Sequence, residues 1–322
     1  MGSFDGVHRG HQHLLGQLTR LAQGLGGESL VITFTNHPLH YLRPEVGMRL
    51  ITLAHEKERL IGALGVDRLL MVEFDREIAT LTAGEFLALL RDRLEVEHFL
   101  IGPDTVIGHD RVHRPEELER LCGELGISLH RTDELRLGGR AVKSSLIREY
   151  LLTDRMEEFV RLTGRYFTHT GIVCRGRGQG RERTGFPTLN LPVPAVKLLP
   201  SDGVYAGYVI HEGKALAAAI NIMEPRFGLS AEEEAELKRL SFPTMPAGTP
   251  RLLEAYVIDL ALGDLYGTEV TLCLAQKLRD EYPFEGWGKL RDQISRDVEE
   301  SRDVLKDHPP PDPLGCPAGD GA

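Results

Sequence analysis

The chain lacks the features that mark several common classes of protein. Its four cysteines, Cys122, Cys174, Cys273 and Cys316, lie far apart and show no metal-ligand spacing. They read as reduced thiols, the pattern of a cytoplasmic protein rather than of a disulfide scaffold. No apolar run approaches the roughly 20 residues that a membrane span needs. The first residues have neither the basic nor the apolar region of a signal peptide. Positive charge is in deficit, with 38 Lys and Arg against 48 Asp and Glu and a net charge of −10. No general field therefore attracts a nucleic-acid backbone, and any phosphate chemistry must use local sites. Internal repeats are absent.

At 322 residues, 41% hydrophobic and 27% charged, the chain has globular composition and a length that suggests about two domains. Strand and helix patterns alternate in the first half. Runs at 30–34, 68–72, 98–101 and 127–130 read as strands. Helical spacing covers the stretch from Leu14 to Leu25, then 56–64, 83–94 and 115–125. Such alternation implies βαβ units and a parallel sheet, with ligands beyond the carboxyl ends of the strands. His37-Pro38 and Asp104 fall there. Residues 144–162 read as a largely helical bridge. Beyond 163, short strand-like runs at 170–174, 204–210, 216–222, 254–260 and 269–274 are separated by Gly and Pro, the pattern of an antiparallel barrel. A helix over 287–305 closes the fold. The Pro-rich tail 307–322 is expected to be disordered.

Two constellations carry chemistry. The first is Phe4-Asp5-Gly6-Val7-His8-Arg9-Gly10-His11-Gln12, a His-x-Gly-His motif at a helix entry. Helix N-termini present unpaired N–H groups and suit phosphates. Gly10 leaves room for a triphosphate, and His8 and His11 can stabilise charge on a phosphorus under attack. The second is the Gly-rich basic run Arg175 to Arg181, followed by Gly185-Phe186-Pro187-Thr188-Leu189-Asn190. A Gly-rich loop alone is more often a flexible hairpin. With Pro-Thr-x-Asn behind it, the loop can wrap a polyphosphate while Thr188 and Asn190 offer neutral oxygens to Mg²⁺. Glu254, on a mostly apolar strand, reads either as a solvated strand end or as a general base.

These residues together resemble the bifunctional bacterial riboflavin kinase/FAD synthetase family over about residues 1–305. The first half is similar to an FMN adenylyltransferase of the HxGH nucleotidyltransferase superfamily, on the run 4–12, Phe34-Thr35-Asn36-His37-Pro38, Gly102-Pro103-Asp104 and Ser144-Ser145-Leu146-Ile147-Arg148. The second half resembles a riboflavin kinase barrel. It does so on the run 185–190, Leu199-Pro200-Ser201-Asp202-Gly203-Val204-Tyr205, Glu254, Leu265-Tyr266-Gly267 and Leu278-Arg279-Asp280-Glu281.

The resemblance implies an α/β fold, with a Rossmann-like domain at 1–163 and an antiparallel β-barrel kinase domain at 164–306. It implies phosphorylation of riboflavin to FMN by Mg-ATP, then adenylylation of FMN to FAD with release of pyrophosphate. Asp5, Gly6, His37, Asp104, Ser145, Arg148, Gly180, Gly185 and Pro187 would bind nucleotide and phosphate. Thr188 and Asn190 would hold Mg²⁺, Glu254 would accept the hydroxyl proton, and Arg279 would contact flavin. Riboflavin, FMN and ATP are then the partners, with no nucleic acid and no membrane.

The chain departs from the family in three places. A buried strand leads into the Asp-Gly turn in the family, where only Met1-Gly2-Ser3-Phe4 stand here. Roughly ten or more further residues are expected upstream, the length of one strand and its lead-in. The family's Asp-Phe-x-Phe-Gly reads Asp104-Thr105-Val106-Ile107-Gly108, and its Asn-Ile-Gly-x-Arg-Pro-Thr-Phe reads Asn221-Ile222-Met223-Glu224-Pro225-Arg226-Phe227, followed by an acidic insertion at 231–238. Three alternatives stand beside the bifunctional enzyme: a kinase with a degenerate adenylyltransferase half, a flavin-sensing protein without catalysis, and an adenylyltransferase for another nucleotide.

Overall fold

The computed structural model describes residues 1–175, 185–223, 251–259 and 265–316. The chain forms two compact units: Met1–Met48 with Thr52–Lys143, and Arg49–Ile51 with the chain from Ser144 onward.

In the first unit, α1 (Arg9–Leu25) is followed by β1 (Leu30–Phe34), α2 (Pro38–Leu42), α3 (Ala54–Gly62) and β2 (Arg68–Val72). Next come α4 (Arg76–Ala79), α5 (Ala83–Leu94), β3 (His98–Ile101), α6 (Pro115–Glu124), β4 (Ser128–Arg131) and the short hairpin β5 (Arg136–Leu137) and β6 (Arg140–Ala141). Local signals set several of these bounds. Thr82 caps α5 through its hydroxyl, and the Glu85 carboxylate accepts from Thr82 N at 2.8 Å, a reciprocal capping box. Gly26 ends α1 in the left-handed region at φ 70°.

The four long strands of this unit pair as two parallel ladders, β1 with β2 and β3 with β4, where the alternation predicts one sheet. Residues 2–4 run beside β1, with a main-chain bond from Gly2 N to Ile32 O at 3.1 Å. Met1 packs on the apolar cluster of Ile32, Phe99, Ile101 and Ile107. Ile107, in the stretch that departs from the family's aromatic pattern, is thus a core residue.

The second unit holds α7 (Ser144–Leu152), α8 (Met156–Thr163), β7 (Phe167–Ile172), β8 (Leu189–Val193), β9 (Gly203–His211), β10 (Lys214–Met223), β11 (Arg251–Val257), β12 (Glu269–Arg279) and α9 (Trp287–Val304). The helical bridge expected over 144–162 is two helices. They break at Asp154, whose φ of 54° a helix cannot contain. Both belong to this unit. The six strands form one antiparallel sheet in the order β7-β12-β9-β10-β11-β8. A bridge between Cys174 and Asn190 nearly closes it into a barrel. Tyr205, Val209, Ile220, Ile222, Leu253, Leu272 and Leu274 face inward and are fully buried; each contributes on the order of 1.5–3 kcal/mol by burial. β9 and β12 approach so closely that a Cβ on Gly207 would lie 2.0 Å from Cys273 O.

Residues 307–316, expected to be disordered, pack on the barrel. Tyr166 Oη donates to Pro309 O at 3.1 Å, Tyr208 Oη donates to His308 O at 2.5 Å, and Tyr166 N donates to Gly315 O at 2.8 Å. Composition misleads here because the segment docks through its backbone carbonyls, which prolines retain, rather than through an apolar face.

Candidate active sites

The His-x-Gly-His segment is a strained turn that leads into α1. Phe4, Gly6 and Val7 have φ of 45°, 83° and 34°; two of these are non-glycine residues in a region that costs energy to occupy. Asp5, Gly6 and His8 are buried. Gly6 N donates to Thr52 Oγ1 at 3.0 Å, and Thr52 N donates to Asp5 Oδ1 at 3.1 Å. The ammonium of buried Lys57 donates to Ser3 O at 3.0 Å and Phe34 O at 2.5 Å, tying the turn to the carboxyl end of β1. Burial lowers the Lys57 ammonium to about 8, against the opposing pull of Asp5.

His8 occupies the N-cap of α1, and its Nδ1 accepts from His11 N at 3.2 Å. A neutral imidazole that accepts at Nδ1 carries its proton on Nε2. The two rings stack with centroids 3.6 Å apart and planes at 16°, and Phe4 meets His11 edge-on at 5.1 Å. A Cβ on Gly10 would lie 3.0 Å from Val142 O and 3.1 Å from His8 Nδ1. Glycine there leaves the His8 ring its place. The helix start thus presents N–H groups beside two parallel imidazoles, an arrangement for anionic oxygens.

The other predicted residues of this half are spread over both units. His37 caps α2, its Nδ1 accepting from Leu39 N at 3.1 Å. Asp104, in the turn after β3, is exposed and pairs with Lys143 at 2.8 Å; the hydrogen bond that the Lys143 ammonium donates to Asp104 raises its pKa. Ser145 and Arg148 lie on α7 in the second unit, where the Arg148 guanidinium donates to Arg49 O. Sequence reading missed Thr52, Lys57 and Lys143. Nothing in their local pattern marks them, because their partners are 23 to 54 residues away, 39 for Lys143 and Asp104.

On the barrel, two of the predicted kinase residues, Asn190 and Glu254, share one row. Asn190 on β8 is the partner of Glu254 on β11, and Glu254 is the partner of Asn221 on β10. Residues opposite one another on neighbouring strands point to the same face. The intervening residues, Leu191, Leu253, Ala255, Ile220 and Ile222, point into the core. Row and core therefore lie on opposite faces. Two residues along β11 and β10, the same outer face carries Tyr256 and Ala219, and Thr188 immediately precedes β8. Tyr256 packs edge-on against Phe186 at 4.9 Å, and both join an apolar floor completed by Ile294 and Val298 of α9.

Gly185, at φ 81°, and Pro187 are exposed. Gly180 and most of the Gly-rich run lie outside the described residues, as do 224–250 with the acidic insertion. Arg279, at the end of β12, makes a bidentate ion pair with buried Asp297 of α9 at 2.9 and 2.7 Å, and its guanidinium lies 4.8 Å from the Tyr282 ring centre.

Comparison with known proteins bears on both halves. A family model for FAD synthetase matches residues 1–146, and one for riboflavin kinase matches residues 163–305. A bifunctional riboflavin kinase/FMN adenylyltransferase of Pseudomonas fluorescens is 32% identical over 303 residues, covering 94% of this chain and 91% of the relative. The chain belongs to the bifunctional riboflavin kinase/FMN adenylyltransferase family. A member from Escherichia coli K12 is also 32% identical, over 95% of this chain and 91% of its own length. A crystal structure described as a macrolide-efflux protein from Streptococcus pneumoniae superposes with a TM-score of 0.72 at 25% identity, covering 94% of this chain and 92% of its own. Among the described residues no helix is long and apolar enough to cross a membrane.

Membership of the riboflavin kinase/FMN adenylyltransferase family favours two activities over a kinase alone, since both domains are matched. The strained His turn lies in the FAD synthetase match and the Asn-Glu-Asn row in the riboflavin kinase match.

Proposed function

We propose that the Asn190–Glu254 row phosphorylates riboflavin and that the His8–His11 turn adenylylates the resulting FMN. The observation that supports the kinase reading is the register itself: a carboxylate and an amide oxygen on adjacent strands, outside the barrel, beside an apolar floor. Thr188, Asn190 and Glu254 are all hard oxygen donors, which suits Mg²⁺. Among the described residues no group of three or more His, Cys, Asp or Glu is placed to hold a metal alone, which fits a cation that enters with ATP phosphates. Thr188 and Asn190 would hold it, and when bound it neutralises phosphate charge. Glu254 accepts the proton of the ribityl 5′-hydroxyl as that oxygen attacks the γ-phosphorus. The barrel strands hold these groups in place, and positioning supplies most of the catalysis in phosphoryl transfer. Gly180, Gly185 and Pro187 would line the phosphate path, and Arg279 the flavin side.

In the first unit, the FMN phosphate attacks the α-phosphorus of a second ATP and pyrophosphate leaves. His8 and His11 stabilise the charge that builds on the transferring group, with Asp5 and Gly6 holding the turn. His37, Asp104, Ser145 and Arg148 serve as further nucleotide and phosphate contacts; the planar fork of Arg148 suits a phosphate. Four free thiols favour a reducing, cytoplasmic setting. The test is incubation of the protein with riboflavin and Mg-ATP, with separation of FMN from FAD over time. The reading expects FMN first and FAD after it; release of ADP without FMN would overturn it.

A further inference from the structure

The row that carries Asn190 and Glu254 has a third member. Asn221 is the register partner of Glu254 on the side away from Asn190. Its Oδ1 is buried and has no hydrogen-bond partner among the described residues. Among the described residues its Nδ2 meets the thioether of Met223, at 3.5 Å, a weak acceptor. A buried amide oxygen without a donor is costly, so an unfilled acceptor at this depth calls for an explanation.

The order of the row indicates what fills it. Neighbouring strands lie about 4.8 Å apart. Glu254 is in the middle, the metal-and-phosphate residue Asn190 is one strand to one side, and Asn221 is one strand to the other. A general base must touch the attacking hydroxyl, and the hydroxyl must lie in line with the phosphorus and its leaving oxygen. If ATP phosphates occupy the Asn190 side, the alcohol substrate extends along the Asn221 side. The group there is an acceptor, so it suits an O–H donor. Riboflavin carries such donors in its ribityl chain.

We propose that Asn221 Oδ1 accepts a hydrogen bond from a ribityl hydroxyl other than the one phosphorylated, and so positions the chain and selects for a polyol. This rests on the kinase reading of Glu254 given above. Asn221 is a substrate-positioning residue in this scheme, with no proton to give or take.

The test uses the full chain and two substrates: riboflavin, and a flavin whose side chain is 5-hydroxypentyl, which keeps the terminal hydroxyl and lacks the three inner ones. Asn221→Ala is expected to raise the riboflavin KM and the riboflavin dissociation constant, read by flavin fluorescence, by about tenfold or more. The KM for ATP and the Mg²⁺ dependence should not move. The hydroxypentyl flavin should react equally well with both proteins, because the hydrogen bond it cannot make is the one the variant has lost. Asn221→Asp keeps an acceptor and should recover part of the riboflavin affinity. Thermal stability of Asn221→Ala should be equal to or above that of the parent, since an unsatisfied buried acceptor is removed.

An unchanged riboflavin KM and dissociation constant would overturn the proposal. So would a shift confined to Mg²⁺ dependence, which would make Asn221 a metal ligand, or an equal loss for both flavins with a lowered melting temperature, which would make it structural. If the parent protein binds riboflavin but forms no FMN, the Glu254 reading fails, while the binding comparison still decides the role of Asn221.

Discussion

The Lys277 ammonium donates to Asp154 Oδ2 at 2.8 Å, joining the break between α7 and α8 to the end of β12. The same carboxylate accepts from Ser201 N at 3.0 Å, Ser201 Oγ at 2.6 Å and Tyr205 Oη at 3.0 Å. Ser201 and Tyr205 belong to the Leu-Pro-Ser-Asp-Gly-Val-Tyr run that resembles the kinase family. One aspartate in the left-handed conformation thus fastens two helices to the barrel.

Asp154 should make the second unit acid-sensitive. Burial pushes its carboxyl up, but the hydrogen bonds from Lys277, Ser201 and Tyr205 outweigh this and leave it below the usual carboxylate range. A carboxyl depressed in the folded state adds stability that is complete above its unfolded value, about 3.9, and is lost as pH falls through the folded value. Asp154→Ala should cost about 1–2 kcal/mol near pH 7, because Ser201 and Tyr205 lose their acceptor, while Lys277 keeps Asp280 at 2.5 Å. The cost should shrink below pH 4. Urea unfolding of both proteins from pH 2.5 to 7 measures it, and a pH-independent difference would count against the carboxylate.

Lys57 should act in the alkaline range. Its ammonium, lowered to about 8 by burial, has an unfolded value of about 10.4. Between these values the unfolded chain binds the extra proton, so stability rises with pH, and the full cost of burying the charge is present below pH 8. The stability of the parent relative to Lys57→Met should therefore climb from pH 8 to 10. Denaturant titrations at half-unit steps would show it, and a flat difference would exclude it.

Glu254→Gln preserves shape and removes the base. FMN formation should fall by about 10²-fold or more, while conversion of supplied FMN to FAD continues at the parent rate. Asn190→Ala should weaken Mg-ATP in the kinase reaction alone. Wild-type kinase rates in both variants would refute the assignment.

His8→Ala combined with His11→Ala should abolish FAD formation and leave FMN formation intact, because His8 and His11 lie in the first compact unit and Asn190 and Glu254 in the second. Gly10→Ala offers a finer probe. Alanine is favoured over glycine in a helix by about 1 kcal/mol, yet its Cβ would crowd His8 Nδ1 at 3.1 Å. FAD synthesis should drop in that variant with little loss of melting temperature. Full activity would show that the ring tolerates the displacement.

Much of this protein is legible in its sequence, and the reason is locality. Helices such as α5 and α1 are marked by a capping box and by a terminal glycine, and the strands by short β-rich runs between turns, all signals spanning a few residues. The His-x-Gly-His turn and the Pro-Thr-x-Asn run are likewise contiguous, so both could be singled out before any fold was known. The tertiary structure decided what depends on pairing across distance. Register placed Asn221 and Asn190 on either side of Glu254, though Asn190 and Asn221 are 31 positions apart and the intervening strand β9 belongs elsewhere in the sheet. Thr52 and Lys57 came to hold the His-x-Gly-His turn only because the chain returns to it. The Pro-rich end found its place because buried tyrosines offered donors to its carbonyls, a fit that no composition records. A sequence states which groups are available; burial and strand register determine which of them meet.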